Sequence, residues 1–198
     1  MVKRQLQPLM MLLDKNNIKA IFAMEPKSRK KVPKEKSLGF IEYINPDYKE
    51  DTNGLDPKKY VKEIAQKKGQ KLKKQAGAAN TIIIGADTVV AIGSKILSKP
   101  KDDENAMTIL KRLSGDKNVV VTGLVMLFPK RPDLFYSGKT IVEFGKLTDV
   151  QMRYYVKSGE AKTIGGYAIQ GLAGTFIKGI EGDYFSVLGA PVDEICEE

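Results

Sequence analysis

Apolar positions along the chain repeat at two periods, and the switches between them outline the elements. Three isoleucines in a row open the stretch Thr81–Val90, a pattern expected of a strand buried on both faces. Ile18–Met24 and Phe40–Ile44 are shorter apolar runs and predict two earlier strands. Lys58–Gln75 instead repeats at helical spacing, with Val61, Ile64, Ala65, Lys68 and Leu72 on one face. Lys68 interrupts that stripe: its ammonium either snorkels outward, the commoner outcome, or points into a cleft. A turn at Gly93-Ser94, a short strand Lys95–Leu97 and the breaker Lys99-Pro100 follow. Asp102 or Asp103 caps the next helix, which buries Ala106, Ile109, Leu110 and Leu113 and stops at Ser114-Gly115. Asn118–Phe128 and Leu134–Gly145 read as a hairpin. Thr148, with Gln151 three positions on, starts a last helix that ends at Ser158-Gly159. The segment 1–17 forms a peripheral extension with a short helix from Pro8, and Gly165–Pro191 is a glycine-rich tail.

Asp87 is the residue that this pattern singles out. It comes immediately after the isoleucine run, among Gly85, Ala86 and Thr88, where small side chains leave room for a ligand. Unpaired buried charge is costly, and α/β sheets gather their chemistry at strand ends, so a carboxylate here reads as part of a site. The competing reading is a strand-terminal aspartate that caps the following turn.

Composition narrows the chemistry further. A chain of 198 residues is long enough for one sizeable core, and a single domain over 1–198 is expected. No apolar run of membrane-spanning length and no signal-peptide pattern is present, which predicts a soluble, cytoplasmic protein without a membrane partner. The lone cysteine, Cys196, leaves no internal disulfide and no cysteine metal cluster. The absence of histidine excludes a Ser-His-Asp triad and zinc-type imidazole ligation. Acid–base work falls to Asp, Glu, Lys or Tyr, and any metal is a hard, oxygen-liganded one.

The net charge of +9 is concentrated in the segment 1–76, where Lys and Arg clearly outnumber Asp and Glu. Its densest part, Pro26-Lys27-Ser28-Arg29-Lys30-Lys31, follows a predicted strand and precedes a helix start, a good setting for an anion. A solvated lysine-rich surface is the plainer explanation of the same excess.

Taken in order, the motifs resemble the Maf family of nucleoside triphosphate pyrophosphatases. The resemblance rests on Gly85-Ala-Asp-Thr-Val-Val90, Lys99-Pro100, Leu113-Ser-Gly115, Val121-Thr-Gly123, Tyr155-Val-Lys-Ser-Gly-Glu160, Gly165-Gly-Tyr-Ala-Ile-Gln-Gly171 and Gly182-Asp-Tyr with Val187-Leu-Gly-Ala-Pro191. It implies an α/β fold of the Maf and inosine-triphosphatase type, with a twisted mixed sheet and a cleft between two lobes. It also implies hydrolysis of a nucleoside triphosphate to monophosphate and pyrophosphate with Mg²⁺ or Mn²⁺, and it leaves a homodimer open. The family's signature aspartate falls on Asp87, as metal ligand or as base, and its acidic loop residue on Glu50. Its lysines match Lys68 and Lys99, its glutamine matches Gln170, and Arg29 and Lys30 stand in its basic phosphate loop, which makes these five the implied substrate-binding residues, with Lys68, Lys99 and Arg29 offsetting charge on the leaving pyrophosphate. The form of the Gln170 motif resembles the dTTP/UTP-preferring branch.

Two departures matter. Where the family has Ser-x-Ser-Pro-Arg-Arg, this chain has Met24-Glu-Pro-Lys-Ser-Arg29-Lys30, without both serines and with the proline displaced. Leading into Gly165, where the family has Asp-Lys-Ala-Gly, this chain has Lys162-Thr-Ile-Gly, which puts in doubt whether Lys162 takes the place of the family's lysine. A non-catalytic nucleotide-binding relative is therefore one alternative. A basic nucleic-acid-binding protein is a second and weaker one, because no aromatic residues interleave the lysines.

Overall fold

The computed structural model describes residues 19–23, 41–44, 56–76 and 80–189. The expected helix at Pro8, the loop carrying Arg29 and Lys30, and Glu50 lie outside these residues. Among them the strands are β1 (Lys19–Ala23), β2 (Ile41–Ile44), β3 (Thr81–Ile92), β4 (Lys95–Leu97), β5 (Lys117–Leu127), β6 (Leu134–Phe144) and β7 (Ile177–Glu181). The helices are α1 (Pro57–Ala76), α2 (Asp103–Leu113), α3 (Asp149–Lys157) and the short α4 (Tyr184–Val187). All seven strands join one sheet in the order β2-β1-β3-β5-β6-β7, with β4 also on β3. The sheet is mixed, as the resemblance implies: β1 runs parallel to β2 and β3, and the remaining pairs are antiparallel. No helix among the described residues is long and apolar enough to cross a membrane.

Local signals account for most boundaries. Asp102 caps α2 by accepting from the Asn105 N–H at 2.7 Å, and Gly115 takes φ +74° where the helix stops. Thr148 and Gln151 form the expected capping box on α3. The four residues predicted for the buried stripe of α2 are its buried residues.

β3 is the central strand and is nearly all buried, with α1 across one face and α2 and α3 beyond the other. Side chains alternate across a strand, so Ile83, Gly85, Asp87 and Val89 face α1 while Ile84, Ala86, Thr88 and Val90 face away. Two glycines let α1 lie close on the sheet. A Cβ on Gly85 would stand 2.3 Å from the Ala65 carbonyl oxygen, and one on Gly123 would stand 2.8 Å from a Val61 methyl. Gly85 therefore sets how near the helix, and Lys68 on it, comes to β3.

Gly85→Ala tests that contact. The new methyl meets helix backbone, which cannot step aside as a flexible side chain can, so α1 has to lift. Overpacking of this kind costs about 1–3 kcal/mol, and in a protein of this size that lowers Tm by roughly 2–12 °C. A thermal melt of Gly85→Ala matching the wild type would show that α1 is not held by this approach.

Candidate active site

Asp87 is the seventh residue of β3, and five more follow it before the strand ends. This corrects the expectation that it terminates a strand, and it also removes the turn-capping alternative. The physical reason is that Thr88–Ala91 continue pairing with Val119–Thr122 of β5, a register invisible from β3 alone. A carboxylate is tolerated in mid-strand because a cation meets it. Lys68 reaches inward from α1 and donates from Nζ to Asp87 Oδ1 at 2.5 Å. Both residues are nearly sealed from water, at 4% exposure for Asp87 and 8% for Lys68. Of the two orientations open to Lys68, the structure takes the inward one.

Among the described residues the sheet shows a gap on one edge of β3 beside Asp87. β1 pairs with β3 only as far as Ala23 opposite Gly85, and β4 pairs with it only from Leu97 opposite Val90. Along that edge, Ala86–Val89 have no partner strand among the described residues. Both neighbours run toward the gap, β1 from one side and β4 from the other. The described part of β1 ends at Ala23, opposite Gly85 and two positions short of Asp87. The chain leaves β4 at Leu97, with the exposed Lys99 two positions on. An edge where one strand ends and another begins is where twisted α/β sheets leave room for a ligand.

The structure brings Lys68 to Asp87, and the described parts of β1 and β4 run toward the same stretch of β3. It does not bring Lys99 or Gln170 into contact with Asp87: both side chains are exposed, and among the described residues neither makes a hydrogen bond or ion pair. Gln170 sits on the segment that follows a tight turn, Ile164–Gly166. There Gly165 packs on Val90 and Gly166 on Ile109, with Pro100 beside it, so the tail lies next to the Lys99-Pro100 exit.

Several residues outside the sequence-based set support this arrangement. Behind Asp87, on the opposite face of β3, the Thr88 and Thr122 hydroxyls meet at 2.9 Å, and Thr122 donates on to the Ser186 carbonyl at 2.6 Å. This accounts physically for the Thr in Val121-Thr-Gly123. Tyr167 donates to Asn118 Oδ1 at 2.9 Å, and the Tyr155 hydroxyl accepts from the Ala168 N–H at 3.1 Å. Burial pushes the Tyr155 hydroxyl up to about 12, against the opposing effect of the Ala168 hydrogen bond. Burial raises Tyr167 as well, so neither phenol ionises at neutral pH. The sequence signal for Tyr155 and Glu160 is their shared motif; its structural purpose depends on contacts with the separate Ala168–Leu172 segment.

A separate groove of about 430 Å³ is lined by Lys58, Lys59, Lys62, Phe135, Tyr136 and Ser137. In the sheet, Gly123 stands between Ser137 and Asp87, and Val61 covers it. The groove is thus set apart from the Asp87 pair, and its lysines contribute attraction for anions rather than acid–base groups.

Comparisons with known proteins add the family. The sequence profile of the Maf family, described as Maf-like protein, matches residues 19–198. The dTTP/UTP pyrophosphatase of Thermosipho melanesiensis is 38% identical over 155 residues, covering 78% of this chain and 82% of that one. That of Ruminiclostridium cellulolyticum is 36% identical over 181 residues, covering 88% and 91%. That of Clostridium novyi is 34% identical over 183 residues, covering 90% and 94%. Among solved structures, a dITP/XTP pyrophosphatase from Mycobacterium abscessus aligns with a TM-score of 0.42 at 16% identity, over 66% of this chain and 76% of that one. The profile match runs from β1 to the last residue, and these relatives stay similar along most of their length, which leaves one conclusion: the chain belongs to the Maf family.

Proposed function

We propose that this protein hydrolyses nucleoside triphosphates, dTTP and UTP in preference, to the monophosphate and pyrophosphate. The observation that carries the proposal is the buried Asp87–Lys68 pair on β3, beside an edge that has no partner strand among the described residues. The names of the relatives supply the substrate class.

A divalent cation of the Mg²⁺ or Mn²⁺ kind fits the donor chemistry. Asp87 offers hard carboxylate oxygen, and such ions take one or two protein carboxylates and complete their shell with water and phosphate. Asp87 and, from outside the described residues, Glu50 would hold it. When bound, it would neutralise charge on the phosphate oxygens. Among the described residues no group of three or more His, Cys, Asp or Glu gathers, so the rest of the shell would come from substrate and water.

The chain's own residues then divide the work. Asp87 orients the attacking water and takes its proton as the water oxygen bonds to the α-phosphorus. The bond from that phosphorus to the bridging oxygen breaks, and pyrophosphate leaves with the electron pair. Lys68 fixes the carboxylate in place and balances its charge. Lys99, Arg29 and Lys30 offset the charge that grows on the departing pyrophosphate. Gln170 reads the base: its amide both donates and accepts, which matches the alternating edge of thymine or uracil. The whole chain acts as one cytoplasmic domain in this reading.

A pyrophosphate-release screen over the common nucleoside triphosphates tests the proposal. dTTP and UTP are expected to turn over faster than ATP and GTP. ATP or GTP as the best substrate would overturn the base assignment. Tight triphosphate binding without any release would identify a non-catalytic relative.

A further inference from the structure

Gln170 occupies a tight turn whose two ends are held by α3 and the residues just after it. The Gly171 N–H donates to the Ala168 carbonyl at 3.0 Å, which makes Ile169 and Gln170 the two central residues of the turn. On the entering side, the Ala168 N–H donates to the hydroxyl of Tyr155, a residue fully buried on α3. On the leaving side, the Leu172 N–H donates to Glu160 Oε2 at 2.8 Å. Glu160 itself follows the end of α3, where its own N–H is held by Ser158 Oγ. One stretch of chain therefore grips both ends of the turn, while the Gln170 side chain between them is exposed and makes no hydrogen bond among the described residues.

The residue after Gln170 is fitted to that carboxylate. A Cβ on Gly171 would lie 1.9 Å from Glu160 Oε2 and 2.7 Å from its carboxyl carbon. Only glycine lets the carboxylate sit against the backbone closely enough to reach the next N–H. A charged acceptor makes a stronger hydrogen bond than a neutral one, so Glu160 is the firmer of the two grips. Such a grip matters little for stability at a half-exposed surface. It matters for recognition, because a group that discriminates between bases by hydrogen-bond pattern must be held in place before the base arrives.

We infer that Glu160 is a positioning residue for base selection: by fixing the Leu172 N–H beside a glycine that admits its carboxylate, it sets where Gln170 presents its amide to the nucleobase. This rests on the reading of Gln170 as the base-contacting residue. It adds a specificity role for Glu160 and Gly171, away from the Asp87 centre. Glu160 bears on which base is bound, through the place of Gln170, and leaves phosphate chemistry alone.

The test compares binding of non-hydrolysable α,β-methylene dTTP and dCTP by calorimetry, with kcat on dTTP measured alongside. Glu160→Ala is expected to cut the preference for the thymine analogue by about five- to tenfold, with kcat on saturating dTTP within about twofold of wild type. Glu160→Gln keeps an acceptor oxygen and is expected to restore most of the preference. Gly171→Ala, which retains the charge but displaces the carboxylate, is expected to mimic Glu160→Ala, and it decides the matter if Glu160→Ala proves unstable. Gln170→Ala should lose the preference, and adding Glu160→Ala to it should change the ratio no further. An unaltered preference in both Glu160→Ala and Gly171→Ala would overturn the positioning role while leaving Gln170 as the reader. An unaltered preference in Gln170→Ala would instead overturn the reading of Gln170, and the positioning role with it. An equal loss of affinity for both analogues would assign Glu160 to general loop stability and also overturn the inference.

Discussion

Asp87→Asn is expected to keep the fold at a lower Tm, because the buried Lys68 ammonium loses its counter-charge, and to lose turnover by on the order of 10²-fold or more, the usual cost of deleting a general base. The amide nearly matches the carboxylate in shape, and Lys68 can still donate to its oxygen, so the strand and α1 keep their positions. What disappears is the negative charge that takes the water's proton and would hold a divalent cation. The measurement is pyrophosphate release from dTTP alongside a thermal melt. A variant that unfolds would make Asp87 a structural residue, and one that stays nearly fully active would remove it from the mechanism.

Lys68→Met should give the largest loss of stability of any single change near the site. It preserves the length of the side chain and deletes the ammonium that meets Asp87 inside the protein. Removing one partner of a buried pair leaves the other charge uncompensated, and such changes cost about 3–5 kcal/mol. In a protein of this size that lowers Tm by roughly 6–20 °C. The double variant Lys68→Met with Asp87→Leu should recover much of this loss, because no charge then remains buried. That recovery separates pair breaking from loss of packing around the lysine stem. If Lys68→Met alone melts like the wild type, the two side chains do not depend on each other.

Much of this fold is legible in the sequence because its signals are local. The capping box at Thr148, the stop at Gly115 and the apolar stripes of α1 and α2 all depend on residues within a few positions. The site is legible only in part, because it depends on pairing between distant segments. Asp87 looks strand-terminal when β3 is read alone; the valines of β5 that extend the strand, Val119–Val121, come only after α2. Lys68 falls on the buried face of α1 by spacing, but its inward turn requires the close approach that Gly85 and Gly123 permit. The start of β4 pairing only at Val90, past Asp87, has no signal within β3 itself. Conversely, Gln170 is legible through its motif, while the reason for the glycine after it emerges only when Glu160 is seen against that backbone.

The central claim is that this site cuts a nucleoside triphosphate between its α- and β-phosphates. Phosphorus NMR of the products formed from dTTP, run in water enriched in ¹⁸O with Mg²⁺ present, tests it most directly. The account predicts dTMP and pyrophosphate as the first products, with the heavy oxygen on the dTMP phosphate because water attacks the α-phosphorus. Release of dTDP and inorganic phosphate, or heavy oxygen on pyrophosphate, would contradict it.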